Sequence, residues 1–192
     1  MSGSSGRAAL TRRQVLAGGG LLVAFSFASR SVAHAQPAGG ESAATPKRIR
    51  PDLPGSLKST PVLDSWIQIA TDGHATVFSG KAELGQGIRS ALLQVVAEEL
   101  DLPPSSITFI TADTALTPDE GVTSGSHSMQ DSGTALANAG ANVRLLLTRA
   151  AAKQWGLSPD TLSTTGDGQV VAPDGRRLGY GPLAVALSLH VD

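Results

Sequence analysis

Two polar, glycine-punctuated segments carry the residue types best suited to hold an anion. Gly80-Lys81-Ala82-Glu83-Leu84-Gly85-Gln86-Gly87 runs straight into one amphipathic stretch. The hydroxyl-rich run Thr123-Ser124-Gly125-Ser126-His127-Ser128-Met129-Gln130-Asp131-Ser132-Gly133 runs into another. Each puts small hydrogen-bonding residues at the start of a predicted helix. Free backbone N–H groups and the positive end of the helix dipole favour negative charge there. These two segments are therefore the candidate binding elements. Two such ends, with bare amides, suit a phosphorylated polar ligand and need no metal ligand from the protein.

Other chemistries are closed off by composition. The chain has no cysteine, which excludes disulfides, thiolate metal sites, iron–sulfur ligation and a cysteine nucleophile within it. His34, His74, His127 and His190 are scattered, and none forms a short-spaced ligand pair for zinc. Asp113, Asp119 and Glu120 match no coordination loop and read as a solvated acidic loop. Lys+Arg 15 against Asp+Glu 16 leaves a net charge of -1, and no basic run follows residue 50, so no nucleic-acid partner is expected. Hydrophobic residues make up 41% of the 192, enough for a core of about one domain.

The N-terminus reads as an export signal over residues 1–35. Arg7, Arg12 and Arg13 form a basic front, Val15 to Ala28 is apolar, and Ala33-His34-Ala35 ends it as a small-residue cleavage site. Thr11-Arg12-Arg13-Gln14-Val15-Leu16 resembles the twin-arginine export motif, with Val15 where Phe is common and Ala17 where Lys is common. The apolar stretch is short for a membrane span and contains three consecutive glycines. A protein exported this way crosses folded and is expected in the periplasm or on the periplasmic face of the inner membrane. Residues 36–62, with five prolines, read as a linker or surface-wrapping arm.

Folded structure is expected from about Ser65, over residues 63–192. Trp66 to Ile69 and Ala75 to Phe78 alternate around Thr71-Asp72-Gly73, the pattern of a β-hairpin. Ile88 to Leu100 is predicted helical, with Leu92, Leu93, Val96 and Leu100 as its buried stripe. Glu98 and Glu99 oppose its dipole, so burial must hold it. Ser106 to Thr111 reads as a strand and Asp113 to Asp131 as a long polar loop. A second helix is expected from about Gly133 to Trp155, with Ser132 as N-cap and Gly156 as its stop. Small residues in its first half permit close packing. Ser163 and Val170 mark a second hairpin around Gly166-Asp167-Gly168, and Pro182 opens a last helix, Leu183 to Leu189. This order predicts an α+β fold of hairpins and helices in layers.

Taken together, the glycine segment, the helix ending Ala97-Glu98-Glu99-Leu100, Asp113-Thr114 and Thr123-Ser124-Gly125-Ser126 resemble the molybdenum-cofactor-binding subunit of the xanthine dehydrogenase/aldehyde oxidase family. The order of parts is similar to its exported branch, which includes the large (β) subunit of isoquinoline 1-oxidoreductase and the membrane-associated aldehyde and nicotinate dehydrogenases. The resemblance covers roughly residues 60–190 and the signal. It implies part of a molybdenum-cofactor-binding domain. It implies oxidation of aldehydes or N-heterocycles with oxygen from water, at a molybdenum–pterin cofactor in its cytosine dinucleotide form. The implied partners are a small [2Fe-2S] subunit, which would carry the clusters this cysteine-free chain lacks, and a membrane cytochrome c subunit.

Gly85, Gln86 and Gly87 are implied to approach the cofactor, with Gln86 near a molybdenum oxo or aqua ligand and no direct metal ligand from the chain. Thr123, Ser124, Gly125, Ser126 and Ser128 are implied to bind the pyrophosphate. The family's general-base glutamate sits in a Gly-x-Gly-Glu context, which this sequence lacks. No catalytic residue is assigned here, and the chain reads as an N-terminal fragment expected to be inactive alone. On the residues alone, Gln86 also reads as a helix cap and Thr123 to Ser132 as a flexible connection. An exported non-catalytic α+β binding module, or an inactive truncated product, is the alternative reading.

Overall fold

The computed structural model describes residues 50–124 and 126–192. The proposed signal and the first part of the proline-rich stretch lie outside the described residues, as does Gly125.

The first hairpin forms where the alternation places it. Strand β1 (Ile67–Ile69) pairs antiparallel with β2 (Ala75–Ser79), Ile67 opposite Val77 and Ile69 opposite Ala75. The turn closes through the Ala70 N–H to the His74 carbonyl and the Gly73 N–H to the Ala70 carbonyl, both 2.9 Å. Helix α1 (Ile88–Leu100) follows, then β3 (Ile107–Thr111). β3 lies parallel to β2, with Ala75 opposite Ile107 and Ser79 opposite Thr111. A parallel pair needs a crossover, and α1 supplies it. Ile67, Ala75, Val77, Ile107 and Phe109 are buried beneath the helices.

Leu92, Val96 and Leu100 of α1 are fully buried; Leu93 is partly covered against them. Their partners are Leu136, Ala139, Val143 and Leu147 of α2 (Thr134–Trp155). Glycine lets these helices touch: a Cβ at Gly140 would come within 2.8 Å of the Glu99 Cβ. α2 stops at Gly156, in the left-handed conformation that glycine takes without strain. α1 stops at Asp101, also left-handed and ahead of the Pro103-Pro104 pair.

A second sheet packs on the same core. β4 (Ser163–Thr164), β5 (Gln169–Val171) and β6 (Arg177–Gly179) are antiparallel in that order. The sequence pattern missed β6, because three residues with one apolar side chain are too few to show alternation. Tyr180 is fully buried beside this sheet, and its hydroxyl donates to the Leu100 carbonyl at 2.9 Å. Burial pushes the phenol well above its ordinary pKa, so it remains a donor.

Four local expectations need correction. Tertiary packing begins before Ser65: Gly55–Lys58 forms a 3-10 turn with Leu57 buried, and Gly55 lies against the Asp131 carbonyl. The second helical segment begins at His127, not Gly133, and passes through a π-helical turn, Met129–Gly133. Ser132 is therefore inside the helix and buried, not an N-cap. The last helix, α3, spans Tyr180–Val185, earlier and shorter than predicted. Burial of Tyr180 fixes its start. Beyond it the Leu189 and Val191 carbonyls accept from the Asp64 and Leu63 N–H groups, bonds that an extended tail can make and a continuing helix cannot.

Candidate cofactor site

β2 and β3 run parallel, so the loops that leave their carboxyl ends start side by side. That position is where open parallel sheets characteristically bind ligands. One loop is Gly80–Gly87, leading to α1. The other runs from Ala112 to Ser126, leading into the helical segment that becomes α2.

A groove of about 470 Å³ lies between them, lined by Leu84, Gln86 and Ile88 on one side and Thr123, Ser124, Ser126, Ser128 and Met129 on the other. The structure thus brings the two candidate segments to one concavity. Ser126 holds a left-handed φ of 61°, an uncommon conformation for a residue with a side chain. Among the described residues, the hydroxyls of Ser124, Ser126 and Ser128 have no hydrogen-bond partner. The lining is partly apolar: Leu84 is 77% exposed.

Gly85 and Gly87 sit beside the groove rather than lining it. Their φ values are 95° and 79°, and a Cβ on either would meet nothing within 4 Å. Glycine is required there by backbone conformation, not by space. The bend is held by Glu83. Its Oε1 accepts the N–H groups of Gly85 (2.6 Å) and Gly87 (3.1 Å), and its Oε2 accepts that of Arg89 (3.0 Å). These amides are not bare, as the sequence suggested. The chain supplies its own anion to the start of α1.

Gln86 is likewise turned onto its own loop. Its Oε1 accepts from the Leu84 N–H at 2.6 Å, and its Nε2 donates to the Ala82 carbonyl at 2.9 Å. One N–H and one lone pair of the amide remain. The capping role weighed for Gln86 belongs to Glu83. The signal that could have found it was a carboxylate four residues ahead of a left-handed glycine.

The Arg89 N–H first, then that of Gly87, hold the Glu83 carboxyl below the usual carboxylate range, against a smaller opposing effect of burial. A carboxyl depressed in the folded state adds stability above its unfolded pKa. That stability is lost as pH falls through the folded value. The amides of Gly85, Gly87 and Arg89 should therefore stay protected from exchange near neutrality and lose protection only on the acid side of the ordinary glutamate range. Hydrogen exchange followed against pH, corrected for intrinsic rates, checks this. Glu83→Ala should abolish the dependence.

Behind the groove the two loops are fastened by buried polar groups. Lys81 is 2% exposed, and its Nζ donates to the carbonyls of Glu120 (2.8 Å) and Val122 (3.4 Å). The Ala82 N–H donates to Thr123 Oγ1 at 2.8 Å. Glu120, read from sequence as part of a solvated acidic loop, turns inward. Its Oε2 is within hydrogen-bond distance of Ser79 Oγ, the Gly80 N–H and Ser132 Oγ. Asp113 and Asp119 instead accept N–H groups of their own loop. His127 is exposed. No group of His, Asp or Glu able to hold a metal occurs among the described residues.

Comparison with known proteins agrees with this architecture. Residues 48–188 match the family model of the molybdopterin cofactor-binding domain. The chain is 37% identical over 118 residues to a subunit of the nicotinate dehydrogenase of Pseudomonas putida, which covers 62% of this chain and 10% of that protein. It is 30% identical over 131 residues to the membrane-bound aldehyde dehydrogenase [pyrroloquinoline-quinone] of Gluconacetobacter polyoxogenes, covering 68% of this chain and 16% of that protein. The chain thus spans a small part of the length of these relatives. Among solved structures, its fold is similar to Cu,Mo-CO dehydrogenase (TM-score 0.55, 24% identity, 62% of this chain and 15% of that one). It is also similar to quinoline 2-oxidoreductase from Pseudomonas putida 86 (TM-score 0.54, 21% identity, the same coverage). By the match over residues 48–188 and the fold that carries it, this chain belongs to the molybdopterin cofactor-binding domain family of the molybdenum hydroxylases.

Proposed function

We propose that the chain is the N-terminal cofactor-binding segment of a molybdenum hydroxylase large subunit that oxidises aldehydes or N-heterocycles with water. The observation that carries this is the shared groove: two loops from neighbouring parallel strands present Gln86 on one side and Thr123, Ser124, Ser126 and Ser128 on the other. The donor set fits a pyrophosphate-bearing pterin. Three hydroxyls have no partner among the described residues, and Thr123, which accepts from the Ala82 N–H, keeps its hydroxyl hydrogen to donate. Gln86 retains one donor and one acceptor to orient a polar ligand near the metal. When bound, the cofactor supplies the two-electron oxidation of substrate.

Because Glu83 occupies the start of α1, phosphate is assigned to the Thr123–Ser128 side alone. The glycine side contributes shape and the Gln86 amide. The general base is assigned to a glutamate outside these 192 residues. The same reading includes the cytosine dinucleotide form of the pterin, a small [2Fe-2S] partner and a membrane cytochrome c subunit. It also includes twin-arginine export to the periplasm. The substrate classes draw support from relatives named for nicotinate and aldehyde oxidation.

Elemental analysis and pterin fluorescence on the intact protein, purified with its neighbouring subunits, test the reading. Stoichiometric molybdenum and pterin are expected. Their absence from a folded, complete assembly would favour a non-catalytic binding module. In the loaded enzyme, Gln86→Ala should reduce turnover while stability changes by no more than about 1 kcal/mol, since the side chain is exposed and packs no core. Unchanged turnover at full cofactor loading removes Gln86 from the site.

A further inference from the structure

We propose that Glu120 is a positioning residue that holds the two lips of the groove at a fixed spacing. This rests on the reading of the groove as the pterin site, and concerns how that site is held.

One oxygen of Glu120 gathers three segments. Its Oε2 lies 2.9 Å from Ser79 Oγ at the end of β2, 2.7 Å from the Gly80 nitrogen at the start of the glycine loop, and 3.1 Å from Ser132 Oγ in the π-helical turn before α2. The two serine oxygens are 2.9 Å from each other, so two hydroxyl hydrogens serve three short oxygen–oxygen contacts. The Lys81 N–H also donates to Ser79 Oγ. Glu120 Oε1 is buried and has no hydrogen bond. A half-buried carboxylate with one buried oxygen unbonded is a costly fastening. Apolar contacts would close the same loop more cheaply but would not define its spacing.

That spacing reaches the groove within three residues. Lys81 Nζ and Thr123 Oγ1 continue the fastening along both loops, and Thr123 and Leu84 both line the opening. Loosening Glu120 frees the hydroxyl-bearing lip from the Gln86-bearing lip while leaving the helix–helix core untouched. Glu120 itself does not line the groove, so its effect on a ligand runs through Thr123 and Ser124.

The test compares wild type, Glu120→Ala and Glu120→Gln in the intact protein, by hydrogen exchange and by retention of molybdenum during dialysis. In Glu120→Ala, the hydrogen-bonded amides of Gly80, Lys81 and Ala82 should exchange about tenfold faster, as for loss of one or two hydrogen bonds. Core amides of Val143 and Val170 should not change, and molybdenum should leave faster. Glu120→Gln should restore both properties, because its amide oxygen accepts the same donors. Ser132→Ala gives a milder variant should Glu120→Ala not fold, and should speed exchange of the same three amides by a smaller factor. Three results overturn the proposal: unchanged exchange at the lips, a uniform rise that includes Val143, or no restoration by glutamine. Wild type without molybdenum defeats the pterin reading, and the exchange data still decide the role of Glu120. Wild type with molybdenum, and unaltered lips in Glu120→Ala, defeats the Glu120 proposal alone.

Discussion

Replacing Gly80 by alanine should force the two loops of the candidate site apart and destabilise the fold by about 1–3 kcal/mol. A Cβ at this position would lie 2.3 Å from the backbone oxygen of Pro118 and 3.2 Å from the Glu120 nitrogen. Main-chain atoms cannot step aside as the end of a side chain can. The φ of Gly80 is outside the left-handed region, so the obstacle is space alone. Separation of the loops would also strain the 2.7 Å bond from the Gly80 N–H to Glu120. Urea unfolding gives the stability loss, and pterin content of the purified protein gives the consequence for the groove. Gly85→Ala is the informative contrast: open space surrounds that Cβ, so its penalty comes only from the φ of 95°. If Gly80→Ala were as stable as wild type, the close fastening of the loops would be wrong.

Trp66→Ala should be the more damaging change to the fold, by about 3–5 kcal/mol. The indole is fully buried, and its Nε1 donates to the Thr60 carbonyl at 2.8 Å. The Trp66 carbonyl accepts the Phe78 N–H at 2.8 Å, at the mouth of the first hairpin. Truncation leaves a cavity under β1 and strips the Thr60 carbonyl of its donor. Against a typical total stability of about 5–15 kcal/mol, that is a large share. The melting temperature should fall by about 10–15 °C. Trp66→Phe, which keeps most of the ring and loses only the N–H and the larger ring's packing, should cost less than half as much. A loss under about 1 kcal/mol for the alanine variant would mean that the site collapses around the deletion, or that the indole is less central than its burial indicates.

Patterns that repeat along the chain were legible. Alternation around Asp72-Gly73 marks the hairpin, and the spacing of Leu92, Val96 and Leu100 marks α1. Gly156 ends α2 because a left-handed residue is needed there. The two segments that meet at the groove could be named as well, since hydroxyls and glycines in short runs are local features. Ser132 misled, because a serine ahead of an apolar run has the form of an N-cap wherever the helix begins. The π-helical turn moved that beginning upstream and left Ser132 facing Ser79 across the core edge. Glu120 misled for a related reason. Its neighbours Asp113 and Asp119 accept bonds from their own loop, and nothing in the order of residues separates it from them.

The linear order of residues by itself determined which segments could be strands, helices or anion-friendly bends, because those depend on spacing over a few residues. Only the folded chain decided that β3 lies parallel beside β2, and hence that both loops open onto one groove. Only the fold turned Lys81 and Glu120 inward and set Glu83 on the amides of α1. Whether a charged side chain meets water or a donor depends on what lies across from it, and across Glu120 lie groups 40 or more positions earlier in the chain.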